Sequence, residues 1–491
     1  MSVPYHRNLV DGEWVDGERR SNLNPARPGE VVSEYAVADR DTARAAVEAA
    51  RRAGPGWAKL PVGDRMRMLD RIGATILDRA DDLATLLARE EGKLLAEARG
   101  EVVRAGQTFR YYAHQLLQPT GEVYASTRPN VHAEVRRRPL GAVGIITPWN
   151  YPLAIPAWKV APALAYGNTV VLKPAELVPA SAGELARIIA DAGVPPGVFN
   201  LVVGAGSVVG EELLTSDGLN GISFTGGTRT GAHVAQRCIA HGNKRFQLEM
   251  GGKNPLVVCD DADLDVAVRC ALDGSFFSTG QRCTASSRLI VTAGIHDRFV
   301  AALAEATQAL RVGDPLDPDS RLGPVVSAGQ LDQNLDYVRI GRDEGAAVAA
   351  GGTHDGQFMR PTLLVGAHND MRVAREEIFG PVSCVIRAEN LDEAIELAND
   401  TDYGLSAGIV TTSLSAAERF KRDARAGIVT VNLPTAGTEL HLPFGGTGAS
   451  NHGPREQGGY AREAPPLQFG DDEIGQVGKA FNVVQETAVR T

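Results

Sequence analysis

Two kinds of hydrophobic spacing divide this chain. From Asp41 onward apolar residues recur at helical intervals through Ala43, Ala46, Val47 and Ala50. Asp41 is placed to cap that helix and Gly54-Pro55-Gly56 to stop it. A second helix is predicted through Met66, Leu69, Ile72, Ile76 and Leu77, and the pattern continues from Leu83 to Ala113 with a break near Gly100. The first third therefore reads as helical, with helices that cover a sheet and carry no chemistry of their own.

From Leu140 the texture changes. Short apolar runs at Ala142–Ile146, Thr169–Leu172, Val198–Val203, Gly221–Phe224 and Phe246–Leu248 alternate with helical segments at Ile155–Tyr166, Ser181–Ala192, Ser207–Leu214 and Thr230–Ala240. Strand–helix alternation at this spacing predicts a parallel, doubly wound α/β sheet. Such sheets bind ligands at the carboxyl ends of their strands. Asn150, Lys173, Gly226 and Glu249 each fall just after or at a strand end, so they should converge on one crevice. A second alternating region begins at Pro255-Leu256-Val257-Val258-Cys259 and runs to about Val431, with a helix from Asp263 through Phe277. Between the helical third and the first sheet, Thr120 to Arg138 alternate apolar and polar as an exposed β-ribbon does.

Bulk properties narrow the classes. At 491 residues the chain should hold two or three domains, and 43% hydrophobic with 22% charged residues describes an ordinary globular protein. A formal charge of −10 argues against a nucleic-acid surface, and the runs Arg51-Arg52 and Arg136-Arg137-Arg138 read as solvated faces. The five cysteines, Cys238, Cys259, Cys270, Cys283 and Cys384, are scattered and never in a CxxC pair. That fits neither a disulfide framework nor a zinc site, and no metal is expected. With no apolar signal core at Met1–Arg7 and no apolar run of spanning length, a cytoplasmic protein without membrane contact is expected.

The candidate chemistry rests on two groups. Cys283 lies in the turn-like stretch Ser278-Thr279-Gly280-Gln281-Arg282-Cys283-Thr284-Ala285, and Glu249 lies 34 residues upstream at the end of an apolar run, before Gly251-Gly252. A thiolate can attack a carbonyl, and a carboxylate can activate the water that later releases the acid. A lone cysteine is more often a small buried hydrophobe, and that reading holds for the other four.

Further segments change the weighting: Thr147-Pro148-Trp149-Asn150, Lys173-Pro174-Ala175-Glu176, Phe224-Thr225-Gly226-Gly227, Glu376-Glu377-Ile378-Phe379-Gly380-Pro381 and Pro443-Phe444-Gly445-Gly446. Together with the thiol and acid segments they resemble the NAD(P)-dependent aldehyde dehydrogenase superfamily, from about residue 8 to about residue 465. The stretches Trp149–Lys159, Gly280–Arg288 and Gly453–Gly458 most resemble members that oxidise α-ketoglutarate semialdehyde (2,5-dioxopentanoate).

The resemblance implies two doubly wound domains, one binding cofactor (1–118 with 140–251) and one carrying the thiol (252–432). It also implies an oligomerisation ribbon with the C-terminal segment (119–139 and 433–491), building a homodimer or homotetramer. Cys283 becomes the expected nucleophile, Glu249 the general base, and Asn150 with the Cys283 backbone N–H the oxyanion donors. NAD is the expected cofactor, with NADP the alternative. Thr147, Pro148, Trp149 and Phe224 are expected to line its site, and Lys173 and Glu176 to hold the adenosine ribose. A carboxylate at Glu176 accepts from ribose hydroxyls and repels a 2′-phosphate, which favours NAD.

Gly226-Gly227, opening a helix, are expected at the pyrophosphate. Glu377 is expected at the nicotinamide ribose and Phe379 beside the ring. The run Val203-Gly204-Ala205-Gly206-Ser207-Val208-Val209-Gly210 is Rossmann-like, but its third glycine is one residue late, so Gly206 and Gly210 are assigned to a wall of the adenine pocket.

Tyr151, Trp158 and Arg282 are the expected substrate contacts, Arg282 for a distal carboxylate. Two departures stand out: Thr447-Gly448-Ala449-Ser450 where relatives carry a lysine, and Gly227 where serine is common. The Gly-Ala-Ser form resembles N-succinylglutamate semialdehyde dehydrogenases. The expectation is therefore hydrolytic oxidation of a carboxylated semialdehyde. Succinate or N-succinylglutamate semialdehyde and broad specificity are the alternatives, while Cys283 and Glu249 argue against a catalytically silent structural relative and Glu249 against a coenzyme A-acylating member.

Overall fold

The structure, a computed structural model, describes residues 3–242 and 244–458. The sequence after Pro465, for which no role is expected, lies outside the described residues, as does the end of the 433–491 segment.

Two sheets organise the chain. The first has eight strands in the order Asn451–His452, Arg245–Glu249, Gly221–Thr225, Ala142–Ile146, Thr169–Lys173, Phe199–Leu201, Asn8–Val10 and Glu13–Val15. Its five central strands are parallel, and both edges are antiparallel. Among those five, the strand after Ala142–Ile146 in the chain lies on one side of it and the fourth, Gly221–Thr225, on the other. The crevice of a doubly wound sheet opens where the order reverses in this way. The second sheet has seven strands, ordered Ala347–Ala350, Thr362–Ala367, Val382–Ala388, Ser286–Thr292, Asn254–Val258, Ser406–Val410 and Ile428–Val431, and is parallel except for its first pair. The ribbon pairs Gly121–Tyr124 with Ala133–Arg136 and projects Val123 and Val135 outward.

The strands are near-continuous apolar runs because both faces are covered. Helices Val62–Asp78, Ala80–Glu91 and Leu95–Gln115 bury Leu69, Ile72, Ile76, Leu83, Leu87, Phe109 and Tyr112 in one core with Val170, Leu172 and Leu201.

Four local expectations need correction. The first helix, Arg40–Lys59, is capped by Asp39, whose carboxylate accepts from Thr42 N at 2.8 Å, and Asp41 is already inside it. It runs through Pro55, because Trp57 beyond it is buried and donates Nε1 to Leu164 O at 3.0 Å, tertiary contacts that outweigh the lost helical bond. The break between the next helices falls at Gly92, left-handed with φ 94°, while Gly100 stays helical with open space where a Cβ would be. Finally, the first third is not wholly helical. Strands Tyr5–His6, Glu18–Asn24 and Arg27–Val37 form a sheet of their own, whose mostly exposed edge strand Glu18–Asn24 lacks an apolar signal.

Candidate active site

Register places the strand-end residues side by side. Thr225 is paired with Glu249, Phe224 with Ile146, and Ile146 with Lys173, so four adjacent parallel strands end on one line. Thr147–Asn150, Lys173–Glu176, Gly226-Gly227 and Glu249–Gly252 leave that edge together. The convergence expected of Asn150, Lys173, Gly226 and Glu249 is what the register produces.

Across the crevice stands the thiol turn, between helix Leu264–Phe276 and strand Ser286–Thr292. Ser278, Thr279 and Gly280 have φ of 50°, 55° and 65°, a left-handed run costly for the two residues that carry side chains. A Cβ at Gly280 would lie 2.2 Å from Gly380 O, so only glycine fits. The turn is held from several sides. Asn150 Nδ2 donates to Gln281 O at 3.0 Å, Asn254 Nδ2 donates to Cys283 O at 2.8 Å and to Ala285 O at 2.9 Å, and Ser278 N donates to Glu97 Oε1 at 2.9 Å.

Asn150 is 3% exposed, and it does not cap the helix that follows. Glu101 does, accepting from Leu153 N at 2.9 Å and Ala154 N at 3.1 Å while pairing with Lys93 at 2.6 Å. The Asn150 amide is thereby left for the crevice, with one N–H on Gln281 and the other without a partner among the described residues. Lys93 also donates to Asn150 O at 2.6 Å, which fixes the backbone there.

Cys283 is partly exposed, and the other four cysteines are buried. Burial, with Glu377 and then Glu249 nearby, pushes its thiol up to about 12. Both carboxylates disfavour a thiolate, so the resting group is a thiol.

Glu249 is 2% exposed. Asn451 donates to its Oε1, as Gln247 Nε2 does at 3.4 Å, and Oε2 has no partner among the described residues. Burial, reinforced by the charge of Glu456, holds its carboxyl well above the usual carboxylate range, against the opposing pull of Lys159. Lys159 pairs with Glu456 and donates to Ser223 Oγ at 2.8 Å and Gln247 Oε1 at 3.2 Å. A buried polar chain thus runs behind the acid. The divergent loop at Thr447–Ser450 belongs to it, because Ser450 O accepts from Met250 N at 2.8 Å and the loop delivers Asn451.

The positions expected to hold a dinucleotide leave polar groups unpaired. Thr147 Oγ1 and Thr225 Oγ1 are buried without partners among the described residues. Among the described residues Lys173 donates only to Pro174 O, at 3.0 Å, and burial lowers its ammonium to about 8. Glu176 lies 3.6 Å from Arg20. A Cβ at Gly206 or Gly227 would meet open space, and one at Gly210 would sit 3.9 Å from Lys173. Gly227 opens helix Thr228–Ala240 without a side-chain cap, so its first N–H groups face outward.

Glu377 Oε1 accepts from Gly252 N at 3.0 Å, and burial raises its carboxyl to about 7. A Cβ at Gly251 would lie 2.0 Å from this carboxylate, which explains the glycine. Phe379, left-handed at φ 60°, meets Trp149 edge to face at 5.3 Å. Orphaned hydroxyls, an uncapped helix start and open glycines are the features a dinucleotide requires, so the residues fit the group.

Among expected substrate contacts, Tyr151 OH lies 3.5 Å from Ser278 Oγ, and Trp158 stacks on Phe444 at 5.5 Å. Arg282 is buried, donates to Asp273 O at 2.5 Å and Gly274 O at 3.0 Å, and lies over Phe277. Sequence reasoning did not identify Asn254, Glu97, Glu101, Lys159, Glu456 or Asn451. Glu97 and Glu101 left a signal, as the two acids of helix Leu95–Gln115, one turn apart.

This arrangement defines an aldehyde-oxidising enzyme: the chain belongs to the aldehyde dehydrogenase family, whose model matches residues 14–464. Among its relatives, the α-ketoglutarate semialdehyde dehydrogenase of Haloferax volcanii is 44% identical, covering 92% of this chain and 95% of that one. The α-ketoglutaric semialdehyde dehydrogenase of Bacillus subtilis is 41% identical, over 93% and 95%. Betaine aldehyde dehydrogenase of Staphylococcus aureus, solved in complex with NAD+, superposes with a TM-score of 0.91 at 34% identity, covering 93% of this chain and 92% of that one. Among the described residues, no helix is long and apolar enough to cross a membrane.

Proposed function

We propose that this chain oxidises a carboxylated semialdehyde, 2,5-dioxopentanoate foremost, to the corresponding acid with NAD, through a thiohemiacetal and then a thioester on Cys283. The observation that carries the reading is the meeting of the Cys283 turn with Glu249 and Asn150 across one line of strand ends. The names of the relatives supply the substrate, and the solved NAD+ complex supports the cofactor.

Cys283 Sγ attacks the aldehyde carbon after losing its proton. The Asn150 amide and the Cys283 N–H take the negative oxygen, stabilising charge that develops only in the transition state. Lys173 and Glu176 would hold the adenosine ribose, the Thr228–Ala240 helix start the pyrophosphate, and Glu377 with Phe379 the nicotinamide end. When bound, the oxidised nicotinamide supplies the hydride acceptor and a positive charge beside the thiol. Glu249 then takes a proton from water for attack on the thioester, releasing the acid and the free thiol. Burial raises its carboxyl, which makes it a stronger proton acceptor than an ordinary carboxylate. Of the pair behind it, Glu456 favours the protonated acid and Lys159 the carboxylate.

The silent-relative reading lacks support because thiol and acid are both present. The acylating reading is disfavoured by Glu249, the hydrolytic base. We assign 1–118 with 140–251 to cofactor binding, 252–432 to the thiol, and the ribbon at 119–139 with the C-terminal segment to a homodimer or homotetramer interface in the cytoplasm.

The test is a panel of aldehydes assayed with NAD and NADP: 2,5-dioxopentanoate, succinic semialdehyde, N-succinylglutamic semialdehyde and pentanal. The highest kcat/KM should fall on 2,5-dioxopentanoate with NAD. Pentanal as best substrate would leave only the general dehydrogenase activity.

A further inference from the structure

A half-buried cation beside the crevice has no counter-ion among the described residues. Glu97, Glu101 and Arg104 occupy one face of helix Leu95–Gln115, at intervals of four and three residues. The first two of these serve the site directly: Glu97 accepts from the thiol turn at Ser278 N, and Glu101 caps the segment that follows Asn150. Arg104 continues that face by one turn.

Its guanidinium meets only neutral oxygens. It donates to Thr438 O, to Thr438 Oγ1 at 3.5 Å and to Gln457 Oε1 at 2.8 Å. No carboxylate pairs with it among the described residues. Burial lowers its pKa, and the titrating group it senses is Tyr151. A partly desolvated guanidinium without an anion is poorly compensated, and a carboxylate is the group its fork of donors fits best. Gln457 adds a second donor, since it is 2% exposed and its Nε2 has no partner among the described residues. Tyr151 connects this place to the chemistry, because its hydroxyl lies 3.5 Å from Ser278 Oγ on the thiol turn. Arg282, by contrast, spends its Nη2 on the carbonyls of Asp273 and Gly274.

We infer that Arg104, with the Gln457 amide beside it, binds the distal carboxylate of the aldehyde substrate and so sets the preference for carboxylated over uncharged aldehydes. The inference rests on the carboxylated-semialdehyde reading for its substrate, and on the geometry for its residue. An uncharged aldehyde of the same length leaves the guanidinium unpaired, which is how a polar site rejects an analogue.

The experiment compares wild type, Arg104→Met and Arg104→Lys with 2,5-dioxopentanoate and with pentanal, each variant first checked for an unchanged melting transition. The specificity ratio in kcat/KM should fall about a hundredfold in Arg104→Met, mainly through KM for the carboxylated aldehyde, and recover in part in Arg104→Lys. Glutarate, an unreactive dicarboxylate, should inhibit pentanal oxidation by wild type and lose at least about tenfold in potency against Arg104→Met. An unchanged ratio, or equal losses on both aldehydes, would overturn the assignment. The glutarate arm keeps the two ideas apart. If wild type prefers pentanal, the substrate reading fails; Arg104-dependent inhibition by glutarate then still upholds the anion site, and inhibition that ignores Arg104 overturns it.

Discussion

The two reactive groups are held in opposite ways. Cys283 sits in a turn made rigid by backbone bonds, with left-handed residues before it and Asn150, Asn254 and Glu97 gripping its amides and carbonyls. Glu249 ends a regular strand, and what surrounds it is the charge of Glu456, Lys159 and Arg455 with the amide of Asn451. The nucleophile is positioned by strain and hydrogen bonds, and the base is tuned by electrostatics. A group that must attack at a defined angle needs fixed geometry, whereas one that must exchange protons needs a suitable free energy of ionisation.

The sharpest way to break the contrast is to remove each group. Cys283→Ala should reduce NADH production to below about a thousandth of wild type, because no other side chain can form the thiohemiacetal. Retained turnover would move the nucleophile elsewhere. Glu249→Gln should leave the first step intact and stall the second. Rapid mixing should show a burst of about one NADH per site, followed by a steady state slowed about a hundredfold or more. Equal losses in burst and steady state would make Glu249 structural.

The electrostatic half can be tested by pH. Glu249 must be ionised to act, so deacylation rises with pH through its raised pKa. Glu456→Gln removes a like charge that holds that pKa up, so the ascending limb should shift to lower pH. A limb that stays in place would uncouple the two acids. The smallest effect is expected among the cofactor positions. Glu176→Ser should narrow the NAD over NADP preference by on the order of 1–2 kcal/mol in kcat/KM, since a partly exposed carboxylate is screened. Arg20, 3.6 Å from Glu176, would then be free to meet a 2′-phosphate. Wild type already favouring NADP would mean that Glu176 does not face the ribose.

Much of this could be read along the chain. The strands Ala142–Ile146 and Gly221–Thr225 and the helices between them follow from apolar periodicity and cover on both faces, and strand-end placement announced Asn150, Lys173 and Glu249. The N-terminal strand Glu18–Asn24 did not show itself, because a mostly exposed strand has no apolar pattern to detect. Helix Arg40–Lys59 ran past Pro55 because Trp57 is anchored by a residue more than a hundred positions away.

What the sequence determined by itself was therefore local: element type, the strand ends and the presence of thiol and acid, all set by spacing and backbone preference over a few residues. What only the tertiary structure decided was company. Asn451 beside Glu249, Asn254 beneath Cys283, Arg282 turned onto helix carbonyls and Arg104 left without an anion are contacts between segments far apart in the chain. Their energies depend on burial and on which charges share a low-dielectric space, and no local pattern records either.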